Sequence, residues 1–295
     1  MSTVGFIGLG NMGSGMAANL AKAGHAVKAF DLSKAALDKA KEAGCTPVDS
    51  AAEAARGAEA VVTMLPADPH VETVYNRDIF PNAPAGALFM DCSTISVDAA
   101  RRVVNQATER GFAMVDAPVS GGVAAAAGGT LTFMVGGDEA HFAKAEPFLQ
   151  VMGKAVIHAG GAGAGQAAKI CNNMLLGVTM IATCEAFVLA EKLGLDPQKF
   201  FDISSKASGQ SWSMTSYCPA PGPVPTAPSN RDYAPGFATA MMLKDLKLAQ
   251  AAAMSAGAST PMGAAAEALY ALYAANGGDA KDFSGIIQML AGKKA

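Results

Sequence analysis

The chain is poor in charge, poor in aromatics and nearly balanced in sign. Only 16% of its 295 residues are Asp, Glu, Lys or Arg, and 22 basic against 25 acidic groups leave a net charge of −3. Without a positive excess it lacks the electrostatic footprint of a protein that lives on nucleic-acid phosphates or anionic lipid. Aromatics make up 6%, which argues against stacking platforms for single-stranded nucleic acid. The five cysteines (Cys45, Cys92, Cys171, Cys184, Cys218) are odd in number and scattered, with no C-x-x-C pair. That pattern argues against a disulfide scaffold and a zinc site and fits reduced thiols in a cytosol. His25, His70, His141 and His158 lack metal-ligand spacing, so no metal is expected. The first residues lead straight into a strand-like run with no signal-like segment, so a cytoplasmic protein is expected. The most apolar stretch, 174–190, is broken by Glu185 and followed by Glu191 and Lys192. A membrane span needs about 20 uninterrupted apolar residues, so this stretch reads as a buried helix. What the chain does have is apolar bulk. A hydrophobic content of 51% excludes disorder, and the length allows one large domain or two ordinary ones.

Hydrophobic periodicity changes character midway. Up to about residue 160, short apolar runs (4–7, 26–30, 60–65, 87–91, 112–116, 130–135, 155–158) alternate with helical stretches at 12–23, 34–43, 71–75, 97–110 and 139–152. Such alternation predicts βαβ units and a mainly parallel sheet. After Gly165 no strand signal remains. Residues 166–193 predict one long helix, followed by helices at 197–205, 238–256, 261–275 and 282–290, with an irregular proline-rich loop at 218–235. The expected fold class is α/β: an N-terminal Rossmann-type domain (1–163), then an all-α domain (164–295) joined through the long helix.

Four stretches carry chemistry. Gly8-Leu9-Gly10-Asn11-Met12-Gly13 fits G-x-G-x-x-G between a strand and a helix. Gly8 permits the tight turn, Gly10 lets a pyrophosphate approach the backbone, and Gly13 lets helix and strand pack closely. The helix N-terminus then offers its free N–H groups to phosphate. Asp31 ends the second strand, where a carboxylate accepts hydrogen bonds from an adenosine ribose. It repels a 2′-phosphate by roughly 1 to 4 kcal/mol at contact, depending on the dielectric. NAD is therefore expected over NADP, although an ordinary turn Asp would look the same. Next, Asp116-Ala-Pro-Val-Ser120-Gly121-Gly122 follows a strand, and a Ser hydroxyl with two unhindered glycine N–H groups suits a carboxylate; a plain turn fits equally. Third, a glycine-rich entry (160–165) leads to Lys169 in the first turns of the long helix, with Asn173 four residues on, on the same face. The helix dipole and partial burial both disfavour an ammonium there, as a general base requires; a salt-bridged structural Lys is the other reading. Fourth, Phe237 precedes a helix carrying Lys244-Asp245-Leu246-Lys247, which also fits a solvated charged face.

These four motifs, in this order, resemble the β-hydroxyacid dehydrogenase family. Ser208-Gly-Gln-Ser-Trp212-Ser213, the proline-rich loop and Lys281-Asp-Phe-Ser284 look like its 3-hydroxyisobutyrate dehydrogenase branch. The resemblance implies NAD-dependent oxidation of 3-hydroxyisobutyrate to methylmalonate semialdehyde, a step of valine catabolism, with Lys169 as acid/base. It implies that Ser120, Gly121, Gly122, Asn173 and Trp212 hold substrate. Cofactor contacts would come from Gly8, Gly10, Asn11, Met12, Gly13, Asp31, Leu65, Pro66, Thr94, Phe237 and Lys244. It further implies a homo-oligomer formed through the helical domain. Two alternatives stay open: a sibling such as a tartronate semialdehyde reductase, and a non-catalytic NAD(H)-sensing module, which has no use for Lys169 and Asn173.

Overall fold

A computed structural model describes residues 1–293. The chain divides into two units, Met1–Lys169 and the residues from Ile170 on. The division falls inside the long helix, whereas the sequence expectation places it at 163/164, just before that helix begins.

In the first unit, strands β1 (Thr3–Ile7), β2 (Ala26–Phe30), β3 (Thr46–Pro47), β4 (Ala60–Thr63), β5 (Leu88–Asp91) and β6 (Ala113–Asp116) form a parallel array in the order β3-β2-β1-β4-β5-β6. Beyond β6 the sheet changes direction. Strand β8 (Leu131–Gly136) runs antiparallel to β6 and to β7 (Val119–Ser120), and parallel to β9 (Gly153–Gly160). The helices are α1 (Gly13–Lys22), α2 (Lys34–Glu42), α3 (Ala51–Ala55), α4 (Asp68–Val74), α5 (Val97–Glu109), α6 (Gly122–Gly128) and α7 (Glu139–Met152). Period-two alternation feeds two cores. Val4, Phe6, Val62, Met90 and Val115 point to the face covered by Met16 and Leu20 of α1. Val61, Phe89 and Met114 point to the opposite face, against Val71 and Tyr75 and against Ala99 and Val103 of α5. The strand order reverses between β1 and β4, the place where open α/β sheets leave a crevice for ligand.

The long helix α8 spans Ala164–Lys192. Then come α9 (Pro197–Ser204), α10 (Trp212–Thr215), α11 (Thr239–Ala256), α12 (Pro261–Tyr273) and α13 (Ile286–Leu290). In the second unit Met180, Ile181 and Cys184 of α8 pack with Met242 and Leu246 of α11 and with Tyr270 and Tyr273 of α12. Gly177 lets α11 approach closely: a Cβ there would sit 3.2 Å from the Leu246 side chain. By length and hydropathy α8 alone, among the described residues, would pass for a membrane span. Its first two turns nevertheless carry buried Gln166 and Lys169.

Candidate active site

The glycine turn separates three steric roles. Gly8 has φ +96°, and a Cβ there would run into the Met64 carbonyl. A Cβ on Gly13 would strike the Gly8 carbonyl oxygen and stand 3.1 Å from the Phe6 ring. Gly10 is different: nothing lies within 4 Å of a Cβ built on it. Packing therefore explains Gly8 and Gly13, while the bare backbone at Gly10 borders open space that a pyrophosphate can enter. Asp31 is held in front of this turn. Its carboxylate accepts from Leu9 N at 2.6 Å and from Ser33 N at 2.7 Å. A cavity of about 240 Å³ opens there, lined by Leu9, Gly10, Asn11, Ser14, Asp31 and Ser33, with Ala35, Ala36 and Lys39 completing the wall. These residues fit the adenosine end of a dinucleotide: a carboxylate for ribose hydroxyls, a bare backbone for phosphate, and alanine methyls for the base. Met12 lies immediately before α1, half of it packed against the core.

At the carboxyl ends of β4 and β5 a second polar cluster is fully buried. Asp91 Oδ1 accepts from Ser93 Oγ at 2.5 Å, Thr63 Oγ1 at 2.8 Å and Ser93 N at 3.2 Å. Thr63 in turn pairs with the Tyr75 hydroxyl at 3.0 Å. Burial pushes the Asp91 carboxyl up to about 6, against the pull of its three hydrogen bonds. Ser93 Oγ also accepts from Leu65 N at 2.8 Å, so the Leu65-Pro66 turn is tied to the segment that carries half-buried Thr94.

The carboxylate of Asp116 does not serve the Ser120-Gly121-Gly122 turn that follows it. It caps the start of α8, accepting from Gly163 N at 2.7 Å and from Gln166 N at 2.9 Å. Burial raises its pKa and these backbone N–H groups pull it back down. Two glycines make the approach possible. A Cβ on Gly136 would collide with Asp116, and one on Gly165 with the Met134 carbonyl and, at 2.7 Å, the Asp116 carbonyl oxygen. Lys169 stands one turn further along, 7% exposed. Ser120 ends the two-residue strand β7, and Gly121 (φ +137°) and Gly122 (φ +73°) turn the chain into α6 with backbone angles closed to other residues. Helix α6 is fixed in turn by α1: Asn19 Nδ2 donates to the Ala126 carbonyl at 2.8 Å, and a Cβ on Gly15 would press on the Ala126 backbone at 2.8 Å.

In the second unit Asn173 is 2% exposed and its amide is already engaged. Nδ2 donates to Asp245 Oδ2 at 2.6 Å, and Oδ1 accepts from Asn172 Nδ2 at 2.9 Å. Asp245, 3% exposed, also lies 3.9 Å from the ammonium of Lys244. A charged stretch that fits a solvated face in the sequence is here half turned inward. Trp212 is 51% exposed and stacks on Tyr217 at 4.9 Å. Tyr217 donates to Asp282 Oδ2 at 2.8 Å, and burial against that carboxylate pushes the phenol far above its usual range. Phe237 packs edge-on against Phe283, and its N–H donates to Asp282 at 3.0 Å.

Comparison with known proteins agrees with this geometry. Residues 3–161 match the family described as the NAD binding domain of 6-phosphogluconate dehydrogenase. Residues 163–290 match the one described as NAD-binding of NADP-dependent 3-hydroxyisobutyrate dehydrogenase. A probable 3-hydroxyisobutyrate dehydrogenase of Mycobacterium tuberculosis is 50% identical over 98% of both chains. The chain belongs to the 3-hydroxyisobutyrate dehydrogenase family. Its solved relative from M. tuberculosis, described with L-serine, superposes with a TM-score of 0.94 over 98% of this chain and 99% of that one, at 50% identity. An NAD-dependent L-serine dehydrogenase of Pseudomonas aeruginosa is 47% identical over 98% of each chain. The expected family and α/β fold class therefore hold, and the protein is an NAD(P)-binding oxidoreductase of the β-hydroxyacid dehydrogenase kind.

Within this family member, the first unit gathers Gly8, Gly10, Asn11, Asp31, Leu65 and Thr94 at the carboxyl ends of β1, β2, β4 and β5. Ser120 and Lys169 both follow from β6, through β7 and through the Asp116 cap respectively. Asn173, Trp212, Phe237 and Lys244 belong to the second unit. Sequence reasoning passed over Gln166 and the cap made by Asp116. The available signal was a carboxylate ending a strand with no polar neighbour of its own, ahead of a helix that opens on glycines without a Ser, Thr, Asp or Asn to cap it.

Proposed function

We propose that the protein oxidises 3-hydroxyisobutyrate to methylmalonate semialdehyde with NAD, as a cytoplasmic homo-oligomer assembled through its helical unit and serving valine breakdown. The observation that carries the reading is the pairing, in one unit, of an Asp31-guarded cavity at the glycine turn with a buried lysine on a helix capped from the neighbouring β6. The dinucleotide, when bound, supplies the acceptor for hydride. The protein's share is placement and proton transfer. Ser120, Gly121 and Gly122 offer a hydroxyl and two backbone N–H groups to the substrate carboxylate. Lys169 Nζ, in its amine form, takes the proton of the hydroxyl as the carbinol carbon is oxidised, and the ammonium returns it in reverse. Such proton transfer contributes typically 10²–10⁴-fold. Asn173, whose amide is engaged by Asp245, and Trp212 contribute to substrate binding as well. Asp31, accepting the Leu9 and Ser33 N–H groups on its two oxygens, holds a carboxylate where a 2′-phosphate would sit, which supports NAD over NADP.

L-Serine is a second candidate substrate, favoured by the L-serine dehydrogenase relative and by the solved relative described with L-serine. The deciding experiment compares kcat/KM for 3-hydroxyisobutyrate, L-serine and D-glycerate, each with NAD and NADP. Highest values with 3-hydroxyisobutyrate and NAD are expected. Preference for NADP would overturn the role of Asp31, and preference for serine or glycerate would overturn the substrate assignment. Lys169→Ala should remove most of kcat while NADH binding stays near wild type; full turnover in that variant would remove Lys169 from the mechanism.

A further inference from the structure

Gln166 is completely buried, and both ends of its side chain are spent on one short segment. Its Nε2 donates to the Ser93 carbonyl at 2.7 Å, and its Oε1 accepts from Ile95 N at 3.2 Å. The residue between those two peptide groups is Thr94. A neutral amide is the one common side chain that offers a donor and an acceptor at this length, so it satisfies a carbonyl and an N–H together. The backbone of Gln166 is meanwhile fixed by Asp116, and Lys169 follows it by three residues, one helical turn on. The helix start does not need the Gln166 side chain for its own cap, because Asp116 already takes the Gly163 and Gln166 N–H groups.

We infer that Gln166 is a positioning residue: it clamps the peptide groups on either side of Thr94 to the helical turn that presents Lys169, so the two are held as one piece. This rests on the roles given to Lys169 and Thr94 above. The same web continues from Ser93 to Asp91 and to Leu65 N, so the clamp sits where the ends of β4 and β5 meet the long helix. Hydride and proton leave a substrate in coordinated fashion, and a mismatch of about 1 Å between the groups that receive them costs up to about 10²-fold. Replacing the amide by an apolar chain leaves a buried carbonyl and N–H without partners, and the segment around Thr94 must shift to recover them.

The test uses the full chain with Gln166→Leu, Gln166→Glu and Lys169→Ala, and the best β-hydroxyacid of the panel above, with and without deuterium at its carbinol carbon. Gln166→Leu should lower kcat by roughly 10- to 100-fold. Its primary isotope effect on kcat should rise, because hydride transfer becomes slower than product release, while the Kd for NADH stays within about threefold. Gln166→Glu keeps an acceptor for Ile95 N–H but sets a second oxygen against the Ser93 carbonyl, so it should lose at least as much, with the isotope effect again raised. A purely structural role predicts something else: a lower Tm and a smaller active fraction, with the isotope effect and KM of the surviving enzyme unchanged. That result in either variant overturns the inference, and Gln166→Glu alone decides if Gln166→Leu fails to fold. Turnover retained by Lys169→Ala would sink the acid/base reading instead, whatever Gln166 does.

Discussion

Asp91 should make the enzyme less stable as pH rises through the acidic range, and Asp91→Asn should remove that dependence. The carboxyl is 1% exposed, and burial pushes it from 3.8 to about 6 despite hydrogen bonds from Thr63 and Ser93. A folded-state pKa above the unfolded value means that the native state binds the proton more tightly. The contribution is present in full below the unfolded value, near 4, and is lost as pH climbs through about 6. A gap of roughly two pKa units corresponds to about 3 kcal/mol in total, of which roughly 2 to 3 kcal/mol falls between pH 4 and pH 7. Asparagine retains a carbonyl oxygen for the same donors and carries no charge. Urea unfolding of both proteins at several pH values isolates the effect. The stability of Asp91→Asn minus that of wild type should increase by that amount from pH 4 to pH 7. Asp116, whose pKa is also raised by burial, contributes to both proteins alike and largely cancels. A difference that is flat or falls over this range would refute the argument, because it would mean that the three donors outweigh desolvation.

Gly13→Ala forces a methyl against the Gly8 carbonyl and the Phe6 ring. It should destabilise by about 1 to 3 kcal/mol, read as a fall in Tm. Gly10→Ala meets nothing, so Tm should stay at wild type while the Kd for NADH rises about tenfold or more by titration. Asp282→Ala removes the shared acceptor of the Tyr217 hydroxyl, Gly236 N, Phe237 N and both Ser284 donors. The loss should be about 3 kcal/mol or more in denaturant unfolding, and Trp212 fluorescence should change as its Tyr217 stack loosens. A loss under about 1 kcal/mol would show that the loop is held by packing instead.

Much of this architecture was legible because it rests on periodicity and on glycine. The strands at 4–7 and 26–30 and the helices at 97–110 and 139–152 carry period-two and period-3.6 signals, and the structure has them to within a residue. What was not legible is what short-range pattern cannot encode. The Ser120-Gly121-Gly122 stretch reads as a turn, but Val119-Ser120 is a strand of two residues whose existence depends on pairing with Phe133 and Thr132 of β8. The run Gly122–Gly128 is a helix, which its flanking glycines hid although four alanines favour it. β3 and α3 were missed for the same reason, being two and five residues long. The stretch around Asp245 also fits a solvated helix face in the sequence, and its burial beside Asn173, a partner 72 positions away, is not legible there.

The two aspartates at strand ends show what decides such cases. Asp31 follows β2 and Asp116 ends β6, both parallel strands, and each accepts two backbone N–H groups at 2.6 to 2.9 Å. Their surroundings differ. Asp31 fills the turn at Ser33 and leaves its outer edge on a cavity, so ligand hydroxyls can still reach it. Asp116 is 1% exposed and enclosed by Gly136 and Gly165, where a Cβ would strike it, so that the helix start can come close enough to be capped. The motif at the end of β6 therefore divides its labour: the carboxylate fixes the start of the helix that carries Lys169, and the Ser-Gly-Gly turn that begins four residues later is left out of that cap. A carboxylate beside a glycine-rich turn thus keeps an open edge only where a cavity remains beside it, and otherwise its hydrogen bonds anchor another element of the fold.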